Sequence, residues 1–130
     1  MTDEQWKELE KNLVPPFGRA KLLVDGYTVD IVVAITEKMK YGFTVYVDGF
    51  IKGEWSINDC DIRRRFYFES KKSLLKQSEK AKLKKLRKAD RERIEQRASY
   101  SVFLPYWGSF SRLKAHLIKN NRSIELVECH

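Results

Sequence analysis

Two Asp-Gly dipeptides, Asp25-Gly26 and Asp48-Gly49, each interrupt a run rich in β-branched and aromatic residues, "AKLLVDGYTVDIVVAI" and "FTVYVDGFIKGEW". Asp-Gly supplies the two positive φ angles of a type I′ turn, whose twist matches that of antiparallel strands. The first dipeptide therefore fixes a register. It sets Val24 against Tyr27, Leu22 against Val29 and Ala20 against Ile31. All six share one face, because side chains alternate along a strand, and Val33 and Ile35 continue that face. In the second run Val47 meets Phe50, but Val45 then meets Lys52 and Phe43 meets Glu54. A bulge at Gly53 is expected to shift that register. With "EKMKYG" as the link, the expectation is a four-stranded antiparallel meander over residues 19–56. Its other face carries Leu23, Val32, Ala34, Tyr46, Ile51 and Trp55, which calls for a cover from the same chain or from a partner.

Helices flank the meander. Thr2 and Gln5 fit a capping box, and Trp6, Leu9 and Leu13 form one apolar face before Pro15 and Pro16 end the helix. Near the other end, "SYSVFLPYWGS" reads as a short strand and a turn at Pro105 to Gly108. Ser109 can cap a helix that carries Phe110, Leu113 and Leu117, Asn120 and Asn121 suit its end, and "SIELVE" alternates like a strand. The fold class is α+β: a four-stranded or larger antiparallel sheet with N-terminal and C-terminal helices. At 130 residues with 42% hydrophobic content, the chain reads as a single domain, 1–130, with one core.

Between these parts lies "SKKSLLKQSEKAKLKKLRKADRERIEQRA", residues 70–98, with twelve Lys or Arg against four Asp or Glu. The excess equals the formal net charge of the whole chain, +8. No Gly or Pro interrupts it and strong helix formers dominate, so one long protruding basic helix is expected. Its apolar stripe, Leu75, Leu83, Leu86 and Ile94, is thin. Just before it, Arg63, Arg64 and Arg65 abut Phe66, Tyr67 and Phe68.

Segregated positive charge of this kind is suited to phosphate backbones, through counterion release. The candidate nucleic-acid or partner-binding residues are Arg63, Arg64, Arg65, Lys76, Lys80, Lys82, Lys84, Lys85, Arg87, Lys88 and Arg91, with Tyr67 as a base-stacking candidate. An acidic protein surface is the other counterpart, and a solvated lysine-rich face is the bland one. Lysine predominates over the Arg, Asn and Gln that read base edges, so contact with phosphate rather than with sequence is expected. No tight turn divides the segment as a helix-turn-helix requires.

Catalysis finds little support. Glu54, Asp59 and Asp61 lie close in sequence, but carboxylates beside a turn are usually capping groups. His116 falls on the polar side of the last helix and reads as a surface residue. Cys129, His130 and Cys60 lack the spacing of a zinc site. No Gly-rich phosphate loop or Ser-His-Asp arrangement stands out, so the expectation is a protein that is not an enzyme, with no metal and no cofactor. Cys60 and Cys129 read as reduced thiols, the N-terminal "MTDEQWKELEKNLV" is acidic rather than signal-like, and no apolar run approaches the ~18 residues of a membrane span. The expected location is the cytoplasm.

The C-terminal "YWGSFSRLKAHLIKNNRSIELV", residues 106–127, resembles the endings of short uncharacterised proteins encoded in bacteriophages and prophages. "YVDGFIKGEW" followed by a Lys-rich segment is similar to their middle, so the resemblance spans roughly residues 41–127. It implies a small accessory phage protein, working in the host cytoplasm on phage nucleic acid or as an inhibitor of a host factor, such as an anti-defence or anti-CRISPR-like protein. It brings no assigned activity or binding residues.

Overall fold

In a computed structural model of the chain, residues 1–15, 17–35 and 40–129 are described. Pro16, most of the linker after Ile35, and His130 lie outside them. The chain divides into two compact units, Met1–Phe68 with Phe103–His130, and Glu69–Val102.

The first unit is built on a five-stranded antiparallel sheet. Strands β1 (Arg19–Val24), β2 (Tyr27–Ile35) and β3 (Tyr41–Val47) are consecutive neighbours. The β1–β2 register is Val24 to Tyr27, Leu22 to Val29 and Ala20 to Ile31, and Asp25 and Gly26 take φ of 46° and 88°. The Asp25 carboxylate ties this turn to a segment distant in sequence: it accepts hydrogen bonds from the Arg122 and Ser123 amides, each at 2.8 Å.

Asp48 and Gly49 turn with φ of 52° and 83°, but the fourth strand of the expected meander does not follow. Only a single bridge, Val47 to Phe50, forms. Continuing would place Lys52 and Glu54 on the buried face, and unpaired charges are costly there. The chain instead enters helix α2 (Gly53–Ile57) and then α3 (Asp61–Phe66). The vacated edge of β3 is taken by a later strand, β6 (Tyr106–Trp107), which sets Trp107 opposite Phe43. The Tyr106 ring rests on Gly42 of β3, where a Cβ would overlap it and force the ring to move. The other edge, β1, pairs with β7 (Ile124–Cys129), with a register shift between Lys21 and Leu22.

Helices α1 (Asp3–Asn12) and α6 (Phe110–Asn120) supply Trp6, Leu9, Phe110, Leu113 and Leu117 to the core formed with the inward sheet residues. Thr2 and Gln5 form the capping box of α1. From α3 and the residue after it, Phe66 and Tyr67 join the same core, and the Trp107 indole donates to the Phe66 carbonyl at 2.9 Å. Buried indole N–H groups need such a partner. On the opposite face Val32, Ala34 and Tyr46 are half-buried and Leu23 is exposed, so that face is only partly covered. Trp55, placed on that face by alternation, instead lies in α2 with its ring edge-on to Tyr67.

The second unit corrects the expected basic helix. Residues 70–98 do not form one helix. Strand β4 (Phe68–Ser73) is followed by α4 (Gln77–Leu83), α5 (Lys88–Arg97) and strand β5 (Ser99–Leu104), and β4 pairs with β5. The Leu74 amide donates to the Ala98 carbonyl at 2.6 Å. A straight helix over this span would separate those residues by about 36 Å, so the pairing requires the chain to fold back. The lysines favour the break after Lys84: a continuous helix would stack Lys84 on Lys88, like charges at i,i+4.

Candidate functional site

In the second unit, Leu83 is the only buried residue. Leu74, Leu86, Ile94 and Tyr100 remain exposed. What the unit has instead of a core is charge. Residues 69–102 hold twelve Lys or Arg against five Asp or Glu, +7 of the chain's +8.

The strand–helix–helix–strand path folds that charge around a cleft of about 550 Å³. Lys71 and Lys72 come from β4, Lys80 from α4, Lys84 from the α4 C-cap and Arg91 from α5. Leu75, Ser73, Glu95 and Ser99 complete the lining. None of the five cations makes an ion pair among the described residues. Five unneutralised cations facing one concavity repel each other, and an anion in the cleft relieves that repulsion.

Of the residues proposed from sequence, Lys80, Lys84 and Arg91 meet in this cleft. Lys76, Lys82, Lys85, Arg87 and Lys88 are exposed elsewhere on the same unit, and Arg87 lies 3.5 Å from Asp90. Lys71 and Lys72 were missed. Reading residues 70–98 as one helix hid them, because only the turn back along β4 and β5 brings them opposite α4 and α5.

The three consecutive arginines belong to the first unit and serve different ends. Arg65 donates to Asp25 at 2.6 Å, to Asp61 at 2.8 Å and to Asn121 at 3.1 Å, with its side chain only 26% exposed. It joins α3, the Asp25-Gly26 turn and the end of α6. Arg64 forms a two-pronged pair with Asp59. The Arg63 guanidinium lies 3.3 Å from the centroid of the Phe103 ring. Arg64 and Arg65 are thus occupied in internal ion pairs, in contrast to the cleft cations.

Tyr67, the proposed base-stacking residue, is 1% exposed and cannot stack on a base from solvent. Its hydroxyl makes no hydrogen bond of ordinary geometry, although the Lys52 amide approaches it, and burial raises its pKa.

The carboxylates near α3 are structural. Hydrogen bonds from the Arg122 and Ser123 amides, then from Arg65, hold Asp25 below the usual carboxylate range. Arg65 first and Tyr27 second do the same for Asp61, and Arg64 does so for Asp59. His116 is not the surface residue its helical position suggested. It is half-buried, with its ring 4.9 Å from that of Trp107 and Nε2 2.9 Å from the Arg64 carbonyl oxygen, and burial lowers its pKa. Cys60 and Cys129 are free, half-buried thiols. Of the sequence-suggested zinc set, His130 lies outside the described residues. Among the described residues no three His, Cys, Asp or Glu side chains are grouped to hold a metal ion, and no helix is long and apolar enough to cross a membrane.

No protein-family model, no curated protein and no solved structure matches this chain.

Proposed function

We propose that this is a small accessory protein, of the kind phages encode, that binds nucleic acid without sequence preference through the basic unit of residues 69–102, and that it is not an enzyme. One observation carries the proposal: five cations converge on one cleft with no ion pairs among the described residues, while Arg64 and Arg65 in the first unit are neutralised by carboxylates. A polyanion supplies the missing counter-charge, and released counterions supply the free energy.

Replacing the cleft cations Lys71, Lys72, Lys80, Lys84 and Arg91 by Gln keeps helix propensity similar in α4 and α5. The variant should keep its far-UV circular dichroism spectrum while its affinity for mixed-sequence DNA falls and its salt slope flattens. Unchanged affinity and slope would remove the basic unit as the contact surface.

The exposed apolar side chains Leu74, Leu86, Ile94 and Tyr100 favour a second reading, a protein-binding inhibitor whose basic surface fits an acidic groove on a host factor. Its signature is an absence of nucleic-acid binding even at low salt, together with retention of one acidic host protein on the immobilised chain and loss of that protein with Leu86→Ser.

A further inference from the structure

We propose that the cleft takes a single nucleic-acid strand in preference to a duplex. This rests on the nucleic-acid function proposed above and narrows its substrate class.

Shape decides the preference. Lys71, Lys72, Lys80, Lys84 and Arg91 line the inside of a concavity of about 550 Å³ rather than a convex ridge. Phosphates reach these cations only by entering. Duplex DNA carries its phosphates on the outside of a rod with a persistence length of about 150 base pairs. Such a rod can rest on a rim, but it cannot feed consecutive phosphates into a cleft of small-molecule size, roughly 300–1,000 Å³. A single strand bends at each nucleotide and can follow the wall.

The lining chemistry agrees. Leu75 is half-buried in the wall, and the lysine stems add apolar surface on which unstacked bases can lie. Ser73 and Ser99 add hydroxyl groups. Glu95, the one carboxylate of the lining, suits a base amino group and not a phosphate. The lining has no Asn or Gln to read adenine, so the site recognises an open strand and not a sequence.

The test uses the full chain and fluorescence anisotropy at low salt. One probe is a labelled mixed-sequence single-stranded DNA of about a dozen nucleotides, and the other is the same sequence closed into a hairpin duplex. The single strand should bind about tenfold tighter or more, a difference of about 1.4 kcal/mol. With four or five phosphate contacts, its salt slope should be about −3, from ~0.7 per contact on single strands. Lys84→Gln combined with Arg91→Gln should weaken single-strand binding several-fold more than duplex binding. Should that variant lose helical signal, Lys71→Gln with Lys72→Gln on β4 makes the same test without touching a helix. A duplex that binds as tightly as the single strand, or substitutions that weaken both equally, overturns the single-strand preference while leaving nucleic-acid binding in place. Binding of neither probe overturns both.

Discussion

Leu83 is the residue on which the basic unit depends. It is 7% exposed, and no other residue of the unit is buried. Its helix, α4, has seven residues and α5 has ten, below the roughly 12–15 at which isolated helices become marginal in water. At ~0.05–0.15 kcal/mol per residue, a unit spanning 69–102 has roughly 2–5 kcal/mol of stability. Leu→Ala at a buried site removes about 2–5 kcal/mol, and the lower end applies here because no other residue of the unit is buried. Leu83→Ala should therefore cost the unit most of its local stability. Amides of residues 77–97 should exchange roughly thirtyfold faster or more, the factor that ~2 kcal/mol represents. The first unit should be spared. Trp6, Trp55 and Trp107 all lie in it, so tryptophan fluorescence follows its unfolding alone, and that melting transition should stay within about 2 °C. Hydrogen exchange by mass spectrometry and a fluorescence melt on the same sample decide the matter. Unchanged protection over 77–97 would show that Leu83 is not what holds the unit. A large fall in the fluorescence melting temperature would show that the units do not unfold separately.

Gly26 sits at φ of 88°, so Gly26→Val should cost about 1–2 kcal/mol and lower the tryptophan melting temperature by roughly 4–15 °C. An unchanged melting temperature would reject the turn. Asp25 and Asp61 are held below their ordinary pKa in the folded state. The stability they contribute is complete above the unfolded-state value near 4 and is lost as pH falls through the lower folded values. Acid unfolding followed by fluorescence should therefore steepen below about pH 4, and Asp25→Asn should flatten the profile; a profile identical to wild type would contradict the Asp25 contacts. Gly42→Ala forces the Tyr106 ring off β3 and should destabilise by about 1–3 kcal/mol, whereas the same change beside Tyr106→Ala should cost much less. Equal costs in both backgrounds would mean that the ring does not rest on Gly42.

The hairpin around Asp25-Gly26 could be read to the residue, because a two-residue turn and strict alternation leave one register. The helices carrying Trp6, Leu9 and Leu13, and Phe110, Leu113 and Leu117, were legible for the same reason: a strong local period. Pairings between distant segments were not. Nothing in "PYWG" announces that Tyr106–Trp107 will replace residues 51–56 beside β3, although Lys52 and Glu54 opposite Val45 and Phe43 already argued against a fourth strand there. The basic segment misled in a different way. Its composition is helical throughout, and the closure of β4 on β5 that bends it depends on contacts some 25 residues apart. The charge of the site was therefore visible in sequence and its concavity was not. Tyr67 was misplaced because aromatic residues beside arginines look alike in sequence whether they face solvent or, as here, the core.

The most direct test is the salt dependence of binding by the unmodified chain to a single-stranded oligonucleotide. Anisotropy titrations between about 50 and 200 mM salt give log K against log salt. Four or five phosphates held by the cleft cations predict a line with a slope of about −3, and loss of about 0.7 from that slope for each cleft cation replaced by Gln. A flat line, a slope unmoved by Lys80→Gln, Lys84→Gln or Arg91→Gln, or no binding at the lowest salt would contradict the account.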